Sequence, residues 1–529
     1  MSLKSPFAGK NNEINWDQFQ INPEDLEFLS SYLLDVETPL GSEELATQLI
    51  IERLRRQTEA AATRQAEQKS YLPKERYSEG DTIVFPALDW ASGHVTRIRK
   101  AQTFNGSAFE VMQVQFGDGR AREFAINLSE HSLNQVVSEE KELPERTSGL
   151  VAQQHAKRIA PLIAQALRKS PEFVYIAGRW FPKSLIVDVG EGQRNVAEAL
   201  LDMARGGPLP TGKLLGEVEL PPGVNPKLAE FSLDLALQED PRFDEVGPAG
   251  EVAWFLHRLE PEAVRKAPLF LQYQPIEHDR SLLSEDMLDL EQRLDDELSP
   301  PETQMDDESN EIQIALVFPH WRVGSLPLTK RVSRLFPTAY ESPRVRFDFV
   351  DAQTGDRFQG WVVRPQKYIV GLRDWYLRRG LMPGSLVHVR RGEKPGEVIV
   401  SAEAHRSSKE WVRTALVGAD GGVVYATLKQ QVESSFDERM VIYLPGELGA
   451  LEVGWQRRAG KVQNLDRVVM ETVRELAKLN TQNHVHAVEI YSAMNLIMRC
   501  PPAPLLAWLT SHEQIQHVGH LHFRAAEAG

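Results

Sequence analysis

The chain has 529 residues, 42% hydrophobic and 26% charged, with a formal net charge of −15 and a single cysteine. That length exceeds one ordinary core and predicts roughly three to five domains of about 100–200 residues each. Cys500 alone excludes an intramolecular disulfide framework and argues against a thiolate zinc site, and no apolar run approaches the ~20 residues of a membrane helix.

In chain order, Met1–Lys10 leads into polar Asn11, Asn12 and Glu13 without a signal-peptide core, so a cytoplasmic chain is expected, nucleoid-associated if prokaryotic. Residues 1–72 predict a helical region. Ser42 is an N-cap ahead of helix-spaced Leu45 and Leu49, and the run through Arg53, Arg55 and Arg56 reads as its exposed continuation. Residues 73–140 switch to short strand-like runs: 80–86, 93–99, 109–116 and 122–124, with Gly117-Asp118-Gly119 as a hairpin turn. Their pattern, "GD-x-V/I … G-x-V-x-x-I … V-x-F-x-DG", resembles the SH3-like barrels of transcription- and chromatin-associated proteins.

Residues 148–275 return to helices. Val151 to Arg168 reads as helical, with Pro161 in the first turn of a second helix. Gln193 to Arg205 ends at Gly206-Gly207, and a further helix starts at Asn225-Pro226. Arg242–Leu256, "RFDEVGPAGEVAWFL", then reads as strand, Gly-rich turn, strand. The C-terminal region 414–529 repeats the rhythm: helices over 465–479, 486–498 and 504–511, then "IQHVGHLHFR". Both segments resemble the HARE-HTH class of winged helix, whose opening "plt-x-x-E-L" and wing "F-x-x-VG" they echo. Pro39–Leu45, "PLGSEEL", carries the opening without an obvious wing.

Charge is segregated. Residues 276–312 hold 14 Asp/Glu against 2 Arg, whereas 313–413 hold 18 Lys/Arg against 9 Asp/Glu. The first block reads as an acidic linker, in which Leu283, Met287, Leu290 and Leu294 at helical spacing mark a short amphipathic helix. That helix, over 282–294, is a candidate dock for a protein partner. The second block predicts strands over 344–350, 357–363, 385–390 and 397–401 and a short helix over 373–379.

The order "LPLTKRVSRLFP" (326–337), "D-x-x-TG … W-x-V" (351–363), "YIV-x-GL-x-x-W" (368–375) and "L-x-PG-x-x-V" (381–387) resembles the DNA-binding pseudobarrel of plant auxin response factors, also found in restriction-enzyme recognition domains. The resemblance covers about a hundred residues. It implies two arms in the DNA major groove, Phe318–Ser325 and Arg364–Lys367. Lys330, Arg331, Arg334, Arg346, Arg364, Lys367, Arg390 and Arg391 would neutralise phosphates. Arg322, Arg364 and Gln366 are types that read base edges, and Trp321 sits in the first arm. The second arm is short, and Gly384-Ser385 replaces the family's usual Gly-Asp.

Catalytic signatures are lacking. Gly207–Leu214 mimics a phosphate loop, but two prolines remove amide donors and Leu214 stands where a hydroxyl would reach magnesium. His484, His486, His512, His517, His520 and His522 read as wing and turn positions, not metal ligands. The expectation is an α+β multidomain chain: winged-helix-like domains, a small SH3-like β-barrel and a β-pseudobarrel. It is a non-enzymatic protein without cofactor or metal, whose partner is duplex DNA, with no membrane partner. A protein-interaction scaffold of an RNA-polymerase-associated or DNA-defence complex is the competing expectation.

Overall fold

The computed structural model describes residues 14–526 apart from 68, 86–87, 89–90, 103–107, 118, 135–144, 340–341, 420, 447 and 462–464. Met1–Lys10, Pro86 and Asp118, each used in the sequence reading, lie outside the described residues. The fold is α+β, with fifteen α-helices and six sheets among the described residues. It divides into two compact units, Met1–Ile186 and Val187–Gly529.

In the first unit, α1 (Pro23–Val36) starts on a capping box: Asn22 Oδ1 accepts from the Asp25 amide while the Asp25 carboxylate accepts from the Asn22 amide. Next come β1 (Leu40–Gly41) and α2 (Ser42–Glu67). A four-stranded antiparallel sheet follows, β2 (Thr82–Phe85), β3 (Ala91–Gln102), β4 (Ala108–Phe116) and β5 (Ala121–Ile126), closed over Ile83, Phe85, Met112 and Val114. The chain then forms α3 (Glu145–Lys169), β6 (Phe173–Ile176) and β7 (Arg179–Pro182). β7 pairs back onto β1, Leu40 opposite Trp180, in the order β1-β7-β6. The opening at 39–45 therefore does have a closing hairpin, 130 residues downstream, and the sheet β2–β5 is an insertion ahead of α3. Pro161 also departs from expectation. It lies inside one continuous helix, on its exposed side, where its missing N–H costs one helical hydrogen bond.

The same order of elements opens the second unit: α4 (Glu191–Met203), β8 (Leu209–Pro210), α5 (Thr211–Leu215), α6 (Pro226–Gln238), β9 (Phe243–Glu245) and β10 (Ala253–Leu256), with sheet order β8-β10-β9. After α7 (Glu262–Arg265) and α8 (Glu285–Leu294) comes a curled half-barrel sheet. Its elements are β11 (Glu311–Ala315), α9 (Phe318–Val323), β12 (Ser325–Pro327), α10 (Lys330–Ser333), β13 (Arg344–Asp351), β14 (Arg357–Val363), β15 (Tyr368–Val370), α11 (Arg373–Arg378), β16 (Leu386–Arg391) and β17 (Glu397–Ser401). The strand order is β11-β16-β17-β13-β14-β15-β12, parallel only between β13 and β17. β13 alternates as its sequence dictates, with Val345, Phe347 and Phe349 inward. A two-stranded ribbon follows, β18 (Ala404–Val417) and β19 (Val423–Ser434), then α12 (Gly449–Arg458). The chain ends with a third copy of the order: α13 (Leu465–Ala477), β20 (Val485–His486), α14 (Ala487–Ile497), α15 (Pro502–Ser511), β21 (Ile515–Gly519) and β22 (His522–Ala525), sheet order β20-β22-β21.

The three copies share positions as well as order. Leu40, Leu209 and Val485 face Trp180, Trp254 and Phe523 across the central pair of each sheet. In the first two copies the indole donates to a hydroxyl at the start of the next helix: Trp180 to Ser42 Oγ at 2.9 Å, Trp254 to Thr211 Oγ1 at 3.2 Å. The third copy has Phe523 and Ala487 there and needs neither group. One residue earlier, the Gly41 amide donates to Glu44 and the His486 amide to Glu489. Pro210 has no amide to satisfy, and Lys213 replaces the acid.

Residues 276–312 are not the solvated linker that their composition predicts. α8 buries Met287 and Leu290, and Asp295, Asp296 and Glu297 are each at most 5% exposed. Distant cations make this possible, as described below. Among the described residues, no helix is long and apolar enough to cross a membrane.

Candidate nucleic-acid interface

The half-barrel cations are largely engaged within the chain. Lys330 and Arg334 both pair with Asp306, and Arg331 pairs with buried Asp295. The Lys367 ammonium donates to the Glu297 carbonyl at 3.2 Å. The expected first arm is the helix α9, whose Phe318, Pro319 and His320 are buried. On it, Trp321 donates its indole N–H to the Leu381 carbonyl at 2.6 Å, while Arg322 pairs with Glu452 and lies over the Phe270 ring. Arg346 and Arg364 are half-buried; burial pushes the Arg364 pKa down, with Glu245 opposing. Gln366, Arg390 and Arg391 face outward, although Arg391 also donates to the Arg334 carbonyl. Gln366 follows β14 and Arg390 lies in β16, so β17 and β13 lie between them in the sheet. The eleven expected contact residues do not converge on one open face.

Beside them lies a buried polar lock. Arg499 is 3% exposed and donates to Asp296 at 2.6 Å and Glu297 at 2.8 Å. Tyr491 donates to the second oxygen of Asp296 at 2.6 Å, and His320 Nε2 lies 3.2 Å from Glu297. Burial would raise the Glu297 pKa, but Arg499 and His320 hold it well below the usual carboxylate range. A cavity of about 310 Å³ lies beside this lock, between α8, β11 and α14. The network ties the acidic segment to the half-barrel and to the third copy.

A different surface in the first unit has the chemistry expected of a DNA face. From Arg146 to Lys169 there is no acidic residue in a chain of net charge −15. On α3, Ala152, Ile159, Ile163 and Leu167 are buried, while Gln154, Lys157, Pro161, Gln165 and Arg168 form an exposed stripe at helical spacing. Arg158 and Lys169 flank that stripe. Arg168 lies over the Tyr175 ring at 5.6 Å, tying the helix end to β6. The β6–β7 hairpin turns through Ala177 and Gly178 at φ 51° and 78°, a tight two-residue turn that glycine favours. The sequence signal was available in the missing acids, but the reading assigned α3 to the domain that follows it.

Comparison of the chain with family models, with curated proteins and with solved structures returned no match.

Proposed function

We propose that the chain is a non-enzymatic, multidomain DNA-binding protein, a transcriptional regulator or chromatin-associated factor. In this reading its three repeated units are winged-helix domains, the sheet β2–β5 an SH3-like barrel and the seven-stranded sheet a pseudobarrel. The observation that carries the reading is α3. It is the third helix of its unit, in the position that enters a groove in winged-helix proteins, and its exposed face carries Lys, Arg and Gln without acids. Lys157, Arg168 and Lys169 contact phosphates, and Gln154 and Gln165 face base edges. The half-barrel is a secondary contact, because a phosphate at Lys330 and Arg334 must displace Asp306.

The test is binding of the full chain to random duplex DNA by fluorescence anisotropy across a salt series. Affinity should fall steeply with salt, and K157E/R168E/K169E should lower the slope by about three, near one per lost phosphate contact. Unchanged affinity in that variant removes α3 from the interface. A chain that binds no duplex at low salt favours the scaffold reading. That reading draws on the ribbon, where Trp411, Leu416 and Val424 are 67%, 43% and 51% exposed.

A further inference from the structure

The second copy holds a cluster that DNA binding does not use. Asp244 lies on β9, and His257 and Glu260 lie on the 3-10 turn that leaves β10. The hairpin register sets Phe255 opposite Asp244, and the His257 amide donates to the Arg242 carbonyl at 3.0 Å, so the turn folds back beside β9. Spacing of three in a 3-10 turn puts His257 and Glu260 on one side of it. One ligand atom from each of the three residues falls within 4.8 Å of the other two, the sole such group among the described residues.

We propose that Asp244, His257 and Glu260 bind one divalent transition-metal ion of the zinc class. Glu260 is the main reason. It is 2% exposed, yet among the described residues no hydrogen-bond donor is aligned with either carboxylate oxygen. His257 Nδ1 approaches to 3.0 Å without hydrogen-bond alignment, and Arg344 stays 4.0 Å away. Burying an unpaired carboxylate is costly, and a cation bound here would relieve that cost. Arg344 donates to one Asp244 oxygen at 2.6 Å and leaves the other for a ligand role, the arrangement that orients metal-binding carboxylates. One imidazole with two carboxylates suits zinc, cobalt(II) or manganese(II) better than magnesium or calcium. The His257 side chain is 40% exposed and gives the ion a way in.

The test is calorimetric titration of the EDTA-stripped full chain with Zn²⁺, repeated with Co²⁺ to read coordination from its visible absorption. One equivalent should bind, and H257A and E260Q should each weaken it by at least about tenfold. H520A/H522A should leave this equivalent unchanged, which separates the site from the C-terminal histidines. H257A changes a part-exposed turn residue and so keeps the fold even where E260Q does not. Failure of the parent chain to take up one equivalent, or equal uptake by H257A, overturns the proposal.

Discussion

The first and third copies use one topology in opposite ways. In the third, α15 is apolar throughout, with Leu505, Leu506 and Leu509 buried, and it packs against α8 of the acidic segment. In the first, the equivalent α3 buries one face and leaves a cationic one exposed. The order of helices and strands therefore does not decide whether a third helix reads an outside partner. The residues on its outer face decide it. The lock at Arg499 shows how far the third copy is committed inward: its guanidinium reaches acids more than 200 positions away in sequence.

The largest expected effect breaks that commitment. Arg499→Met leaves Asp296 and Glu297 buried without their cation and should destabilise the second unit by about 3–5 kcal/mol. Denaturant unfolding of the full chain checks this, and a loss below about 1 kcal/mol would mean that the lock holds little. Next is charge reversal on α3, which should lower DNA affinity and its salt slope while leaving the unfolding midpoint in place. Trp254→Phe removes the indole donor shared by Thr211 and Asp234 and should cost roughly 1–3 kcal/mol. Phe523→Tyr at the matching place in the third copy adds a hydroxyl without a partner, so it should not stabilise.

Acid separates the second copy from the third. Burial raises Asp234 from 3.8 to about 6, so the folded state holds its proton more tightly than the unfolded chain. That contribution to stability is present below pH 3.8 and is lost as pH rises through 6. Burial lowers His486 from 6.5 to about 4, so its contribution is present above pH 6.5 and is lost as pH falls through 4. Between pH 4 and 6.5, Asp234→Asn should flatten the loss on raising pH, and His486→Asn the loss on lowering it, as read from urea midpoints. The smallest effect is Asp306→Asn. Its ion pairs are half-exposed and contribute little to the fold. It should nevertheless tighten DNA binding at low salt if the half-barrel contributes at all.

Local signals were legible and distant pairings were not. The strands at 357–363 and 397–401 stand where they were expected, and the 344–350 strand alternates as its period dictates. The closing hairpins of the second and third copies were readable as strand, Val-Gly turn, strand. The first copy's hairpin went unrecognised, because its partner β1 lies beyond an inserted sheet. The acidic segment misled for the same reason: composition counts charges, and Asp295, Asp296 and Glu297 are neutralised by Arg331 and Arg499 from elsewhere. The basic block misled in mirror image. Its arginines signalled a surface for an outside polyanion, and several instead meet the chain's own acids.

The insertion in the first unit has a consequence for synthesis. α1, β1 and α2 emerge long before β7, the strand that completes their sheet. At 5–20 residues per second, the wait is on the order of ten seconds. Meanwhile the inserted sheet can fold alone, since its strands pair in sequence order. The Lys74 amide donates to the Asn134 side chain at 2.8 Å, so the folded insert returns the chain to where it left. A growing chain thus shortens a long loop before it must close it.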